Sequence, residues 1–284
     1  MVLVTGGSGF IGSHVVDKLI EHNYEVRVFD VQKPHRNDVK FYKGDITCLG
    51  DLNLATEGVD YVFHIAAFSN IDRVSANPLS TIDLNIGGTA RVLESARKSG
   101  VKRVLLASSY FVGGRGGHLY VTSKAASEML CKDYYTLYGQ PFTILRYGTG
   151  YGPGSRGEDV VSVFVQQALS SGKMVIHGNG EQYRYFIYVD DLADGNVAAL
   201  KKTAENETYI LAGTKKVTIN EVAQTIKRLF DDMVSIEYKE ERLDDYEGGE
   251  VTLEKTKKEL GWEPKVDFEE GVRRYIEWYM EEKR

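Results

Sequence analysis

The sequence predicts a doubly wound α/β fold, a parallel sheet covered by helices on both faces, with a smaller lobe at its carboxyl edge. Three observations carry this expectation. Short β-branched runs alternate with longer segments of ~3.6-residue periodicity, the runs are apolar, and a glycine-rich turn separates the first run from the first helix.

In chain order, Val2–Thr5, Glu25–Asp30, Phe41–Lys43, Tyr61–Ala66, Arg103–Ser108 and Phe142–Tyr147 read as strands. Between them, Ile11, Val15, Val16, Leu19 and Ile20 form one apolar stripe, and Thr89, Val92, Leu93 and Ala96 another. Right-handed crossovers then place these helices on the faces of a parallel sheet. After about Gly152 the rhythm changes. Asp159–Ser171 reads as a helix, Met174–Ile176 and Tyr185–Val189 as short strands, and Asp191–Lys201 as a helix. The tail reads as a strand (Tyr209–Ala212), a helix opened by Thr218 (Ile219–Phe230), a strand (Val234–Tyr238) and a last helix (Phe268–Met280).

The chain has 284 residues, 42% hydrophobic and 27% charged, enough for one large domain or two joined lobes. Lys and Arg number 35 against 41 Asp and Glu, a net charge of −6. That balance, with no basic block, argues against a nucleic-acid binder and against a polybasic membrane-surface protein. No window approaches ~18 uninterrupted apolar residues, and no basic segment precedes Val2-Leu3-Val4, so neither a membrane span nor a secretory leader is expected. Cys48 and Cys131 are too few for a disulfide framework, which suits a reduced, cytoplasmic setting. The six histidines are scattered without metal-ligand spacing, so no metal site is expected.

Thr5-Gly6-Gly7-Ser8-Gly9-Phe10-Ile11-Gly12 lies between the first strand and the first helix. Its glycines permit a tight turn and close backbone approach to a pyrophosphate. The helix beginning near Phe10 aims free N–H groups and a positive dipole end at the anion. The alternative is a tight turn with no ligand. Asp30 ends the second strand; a carboxylate there accepts hydrogen bonds from adenosine ribose hydroxyls and repels a 2′-phosphate, and Val31 follows where an NADP site favours arginine. Lys33 and Arg36 are nearby.

Tyr120-Val121-Thr122-Ser123-Lys124 opens a helical segment in which positions i and i+4 share a face, so the phenol and the ammonium point into one cleft. A free tyrosine, with pKa ~10, is a poor base at neutral pH. The neighbouring ammonium, with a positively charged nicotinamide, is expected to bring Tyr120 toward working pH. Ser109, at the end of the fifth strand, would hydrogen-bond the same substrate oxygen. Alone, this spacing also occurs on ordinary surface helices.

With these motifs in place the chain resembles the extended short-chain dehydrogenase/reductase family, in its nucleotide-sugar epimerase/dehydratase branch. The resemblance runs through TGGSGFIG (5–12), Asp30, Gly44-Asp45-Ile46, His64-Ile65-Ala66-Ala67, Asn85, Ser108-Ser109, Tyr120 and Lys124, Leu145-Arg146-Tyr147, Tyr151-Gly152-Pro153-Gly154, Arg184 through Asp190-Asp191-Leu192, and Trp262 in Glu-Leu-Gly-Trp-Glu-Pro. It implies a Rossmann domain over 1–152, with 183–205 returning to it, and a nucleotide-sugar lobe over 153–284. It implies NAD held by Gly6, Gly9, Phe10, Ile11, Gly12, Asp30, Asp45, Ile46, Ala66, Ala67, Asn85, Tyr120, Lys124 and Tyr147. Ser109, Tyr120 and Lys124 would be catalytic. Ser69, Ser109, Tyr110 and Thr149 would meet the sugar, and Arg184 and Arg242 the diphosphate, for which forked guanidinium donors are well shaped.

Departures from the family separate its reactions. The 4,6-dehydratases of the branch carry Asp-Glu after the catalytic hydroxyl, and the decarboxylases need the glutamate; here Tyr110 and Phe111 follow Ser109. Epimerisation at C4 of a UDP-linked hexose is the reaction left. A keto-sugar reductase is the alternative, ahead of a dehydratase or a non-catalytic NAD-binding regulator. Thr149 and Gly148 replace the family's usual Asn and Phe, and Ser69 stands where some 4-epimerases have a lysine. The span from Ser109 to Tyr120 is short and carries Gly113, Gly114, Gly116 and Gly117, so a mobile roof is expected over 112–119. Relatives form homodimers by pairing two helices from each subunit; Gly88–Lys98 and the helix after Tyr120, with Ala125, Met129 and Tyr134, are the corresponding segments.

Overall fold

A computed structural model describes residues 1–114, 118–155, 157, 159–240 and 249–283. Six strands of the central sheet are β1 (Val2–Thr5), β2 (Val26–Asp30), β3 (Lys40–Lys43), β4 (Tyr61–His64), β5 (Arg103–Ser109) and β6 (Phe142–Tyr147). All pair in parallel, and Glu207–Leu211 adds a seventh strand on β6, giving the order Glu207–Leu211, β6, β5, β4, β1, β2, β3. The order reverses between β1 and β4, and ligands of open parallel sheets bind outside the carboxyl ends at such a point.

Burial explains the sheet. Val2, Leu3 and Val4 of β1 are fully buried, as are Val28, Val62 and Phe63 on its neighbours. One face packs on Val15, Val16 and Leu19 of the first helix, Phe10–Glu21, and the other on Val92, Leu93 and Ala96 of Gly88–Lys98. The strand expected over Tyr61–Ala66 ends at His64, because the N–H groups of Ile65 and Ala66 both turn onto Thr5 O, at 3.2 and 3.1 Å. That turn lays Ala66 against the glycine loop.

A second core holds Tyr151, Phe164, Val165, Met174, Ile226, Val272 and Tyr275. It joins Val160–Ser171, Ile219–Leu229 and Phe268–Glu282 to the parallel strand pair Lys173–His177 and Ser235–Lys239. Thr218 opens Ile219–Leu229 with a reciprocal cap, its hydroxyl accepting from Glu221 N while the Glu221 side chain receives Thr218 N.

Glu207–Leu211 is the segment after β6 that pairs with the central sheet. The strand read over Tyr209–Ala212 lies at Glu207–Leu211 on β6, and Leu260 and Trp262 join the first core, Trp262 Nε1 donating to Asp191 O at 3.0 Å. Tyr209 and Leu211 are buried there, since an unpaired β6 would expose a strand edge. Among the described residues, several helices escape the sequence reading, including Ile71–Ala76, Pro78–Thr81 and Ile82–Gly87. Leu49–Thr56 carries Gly50 and Asn53, weak helix formers, and is held by burial of Leu52 and Ala55; Glu254–Leu260 is too short for a periodic signal.

Candidate active site

The carboxyl ends of β1, β2, β4, β5 and β6 open into one cavity of 1170 Å³ that extends onto Val160, Phe164, Val175, His177 and Gln182 of the second lobe. A single small-molecule site spans roughly 300–1,000 Å³, so this space suits two ligands side by side.

At one end lies the glycine loop. Gly6 turns at φ +73°. A Cβ at Gly6 would meet Ala66 N at 2.7 Å, and one at Gly12 would lie 2.0 Å from Gly6 O, so neither position accepts a side chain. Phe10, Ile11 and Gly12 open the first helix at the cavity wall, with no acidic residue in its first turn to compete with an anion. Asp30 ties the loop to β2: Oδ2 accepts Ser8 N and Oδ1 accepts Gln32 N, both at 3.0 Å. Each oxygen keeps a lone pair for a ribose hydroxyl. Asp45, Ile46, Ala66, Ala67 and Tyr147 line the same space. The residues therefore fit a dinucleotide without a 2′-phosphate.

Asn85 departs from expectation. It is 2% exposed and stands behind the wall, its amide bracketing Phe68 (Oδ1 from Phe68 N at 2.8 Å, Nδ2 to Phe68 O at 3.0 Å) and donating to Ser123 Oγ at 3.0 Å. Ser123 in turn donates to Tyr120 O. Asn85 thus links the cavity wall to the helix that carries Tyr120.

That helix, Leu119–Tyr138, is capped by His118, whose Nδ1 accepts Tyr120 N at 3.1 Å. Tyr120, Lys124 and Ser109 reach the cavity together. Lys124 Nζ lies 5.9 Å from the Tyr120 ring centroid and donates to Ala107 O at 2.8 Å. Burial pushes Tyr120 up to about 12, against a hydrogen bond with Ser109, and drives Lys124 down to about 8. The ammonium by itself therefore does not bring Tyr120 to working pH: burial sets the direction, and the hydrogen bond with Ser109 is what opposes it.

At the substrate end, Ser69, Thr149 and Arg184 line the cavity. Arg184 Nη1 donates to Tyr183 O at 2.8 Å and its guanidinium carbon lies 5.4 Å from the Phe111 ring centroid. Tyr110 does not line it. It is 3% exposed, packed against Phe111 and Tyr185, because the turn Tyr110–Gly113 points it into a small aromatic core and leaves Phe111 at the wall. Arg242 and the glycines at 116 and 117 lie outside the described residues. The sequence reading also missed Phe111, Asp159, Gln167, His177 and Gln182, all at the wall. Polar Gln167 inside an apolar helix pattern was the available signal.

Residues 2–212 match the model of the NAD-dependent epimerase/dehydratase family. A Methanocaldococcus jannaschii protein provisionally named a UDP-glucose 4-epimerase is 34% identical, with all of both chains covered. The crystal structure of Thermotoga maritima UDP-glucose 4-epimerase with UDP-glucose superposes with a TM-score of 0.93 at 31% identity, covering 100% of this chain and 99% of that one. A double mutant of the dTDP-glucose 4,6-dehydratase of Streptomyces venezuelae, solved with NAD, gives 0.93 at 29% identity over 100% and 98%. With its parallel sheet, glycine loop and shared cavity, the chain belongs to the NAD-dependent epimerase/dehydratase family.

Proposed function

We propose that this enzyme inverts C4 of a nucleotide sugar, with a UDP-hexose as its substrate. The observation that carries the reading is the meeting of Ser109, Tyr120 and Lys124 in one cavity with the glycine loop and Arg184. The likeness to a UDP-glucose 4-epimerase along the whole chain supports it. Tyr110 and Phe111, standing where elimination of water would call for a carboxyl pair, favour it over dehydration.

Bound NAD would supply reversible hydride acceptance at C4, with no net redox change over a turnover. Gly6, Gly9, Phe10, Ile11 and Gly12 would hold its pyrophosphate, Asp30 its ribose, and Asp45 and Ile46 its adenine; Ala66 and Ala67 would run along it, and Lys124 and Tyr147 would meet its nicotinamide end. Tyr120 accepts the proton of the C4 hydroxyl while Ser109 hydrogen-bonds the same oxygen. Held near 12 by burial, Tyr120 needs added positive charge to act as a base at neutral pH; Lys124 supplies one cation and the oxidised cofactor a second. Arg184 grips the diphosphate, so the sugar turns about a fixed anchor. Ser69 and Thr149 meet the sugar.

The test is incubation of purified protein with UDP-glucose and no added cofactor. UDP-galactose should accumulate to an equilibrium mixture. Stoichiometric consumption of added NADH would make it a reductase, loss of water a dehydratase, and inertness towards a panel of UDP-hexoses, N-acetylhexosamines and hexuronates a binding protein.

We also propose a homodimer. Leu79, Ile82 and Met129, at 81%, 43% and 64% exposure, stand on Pro78–Thr81, Ile82–Gly87 and Leu119–Tyr138, which pack together. Met129→Glu should leave a monomer by sedimentation, and a dimer unchanged by it would remove this contact. The free thiols Cys48 and Cys131 suit a reducing, cytoplasmic setting.

A further inference from the structure

Glu128 has no part in the chemistry above, yet it is a carboxylate at 3% exposure one helical turn beyond Lys124. Its Oε1 accepts Ser108 Oγ at 2.6 Å and Arg146 Nε at 2.8 Å, and its Oε2 accepts Arg146 Nη2 at 2.7 Å. Ser108 and Arg146 are register partners across β5 and β6, so one carboxylate ties both strands to the Tyr120 helix. The residues flanking those anchors are the site itself. Ala107 O receives Lys124 Nζ, and Ser109 pairs with Tyr147 at the cavity.

A buried ion pair is a poor device for stability, since apolar residues of similar size do as well or better. Its place one turn from a buried lysine gives it another use. We propose that the Glu128–Arg146 pair positions the Ser109, Tyr120 and Lys124 set, its carboxylate placing a negative charge one helical turn from Lys124 and its bonds fixing the strand end from which Ser109 projects. This rests on the reading of those three residues as the proton-transfer set.

Burial drives Lys124 down and Glu128 acts against it. The other titratable groups packed around Lys124 are Tyr120 on its own helix, His64 on β4, and Tyr147 beside Arg146 on β6. His64, between Thr5 and Thr89, is held near 3 by burial and stays neutral, and burial raises Tyr147 as well. Glu128 therefore supplies the negative charge that Lys124 feels. Removing that charge disfavours the ammonium, so Lys124 loses its proton at lower pH, and turnover with it.

Glu128→Gln keeps the shape of the side chain without the charge, and Glu128→Asp keeps the charge. In the NAD-loaded enzyme the alkaline limb of kcat should move down by about one pH unit in Glu128→Gln and stay in place in Glu128→Asp. A second readout avoids turnover. In NAD-free protein labelled with 13C-lysine, the resonance missing from Lys124→Arg should titrate near 8 in the wild type and fall by the same amount in Glu128→Gln. A limb and a titration that both stay put overturn the proposal, whatever happens to thermal stability. Should Glu128→Gln fail to fold, Glu128→Gln/Arg146→Met removes the cation together with the carboxylate, so the lysine titration should fall by less than about one pH unit, and no fall at all overturns the proposal. Full turnover in Tyr120→Phe would instead remove the underlying reading, and the lysine titration would still report on Glu128.

Discussion

The two halves of the cavity are built from different materials. The end proposed for the cofactor is mostly main chain: a glycine loop with no room for Cβ atoms at Gly6 and Gly12, and the turn at Ala66 laid against it. The substrate half is mostly side chains from segments far apart in sequence, among them Ser69, Phe111, Thr149, Gln167 and Arg184. A parallel sheet dictates the first, because strand ends must converge at the point where the strand order reverses. Nothing in the sheet dictates the second, so sugar and reaction can change while the fold persists. The likeness of this one chain to an epimerase and to a dehydratase, both with a TM-score of 0.93, shows that freedom.

The largest expected effect falls where the halves meet. Tyr120→Phe removes the proposed base and keeps the ring, so turnover should fall by about 10²–10⁴-fold. NAD content, read after heat release, should be unchanged, since the dinucleotide is held from the glycine loop onward. Loss of NAD together with turnover would show that Tyr120 belongs to the cofactor half.

The same division governs what the sequence makes legible. The strands β1 to β6 and the glycine loop follow from local pattern, because glycines between a strand and a helix have few other structural meanings, whereas Asp45, Ile46, Ala66, Ala67 and Tyr147 are expected from the family resemblance and line the cavity. Asn85 stands behind the cavity wall, its amide spent on Phe68 and Ser123, because a motif gives the position of a side chain and not its direction. Tyr110 and Phe111 are adjacent and chemically alike, and only the turn that starts at Ser109 decides which of them faces the cavity. The return of Glu207–Leu211 to β6 is a long-range pairing with no local signal. Glu128 reads as a solvated helix charge until Ser108 and Arg146 are brought to it.

Next in size is a probe of the cofactor half alone. In Gly12→Ala the new methyl meets Gly6 O and Gly7 Cα, both backbone, and the loop must open to accept it. Overpacking of this kind costs about 1–3 kcal/mol, which corresponds to a roughly 5–150-fold weaker hold on NAD if the strain falls on the loop. Equilibrium dialysis measures it. An unchanged affinity would mean that the pyrophosphate is not bound at this turn.

Arg184→Met probes the substrate half. A charge-assisted hydrogen bond is worth about 1.5–3 kcal/mol, and the partial exposure of Arg184 places it at the lower end, so KM should rise about 10–30-fold with kcat nearly preserved. A fall in kcat at constant KM would instead tie Arg184 to the transition state and blur the boundary between anchoring and chemistry.

The smallest effect makes the sharpest comparison, because it contrasts neighbours. Phe111 lies at the wall with the Arg184 guanidinium over its ring, whereas Tyr110 is packed behind it against Tyr185, their ring centroids 5.7 Å apart. Phe111→Ala removes both a wall and a cation–π contact worth about 0.5–1 kcal/mol, so KM should rise roughly two- to fivefold. Tyr110→Phe keeps the packed ring, and KM should change by less than about twofold, within the reach of a conservative core substitution. Steady-state kinetics on the two variants decides the matter. If Tyr110→Phe has the larger effect on KM, its hydroxyl reaches the sugar when substrate binds, and the aromatic core behind the wall belongs to the specificity surface rather than to its support.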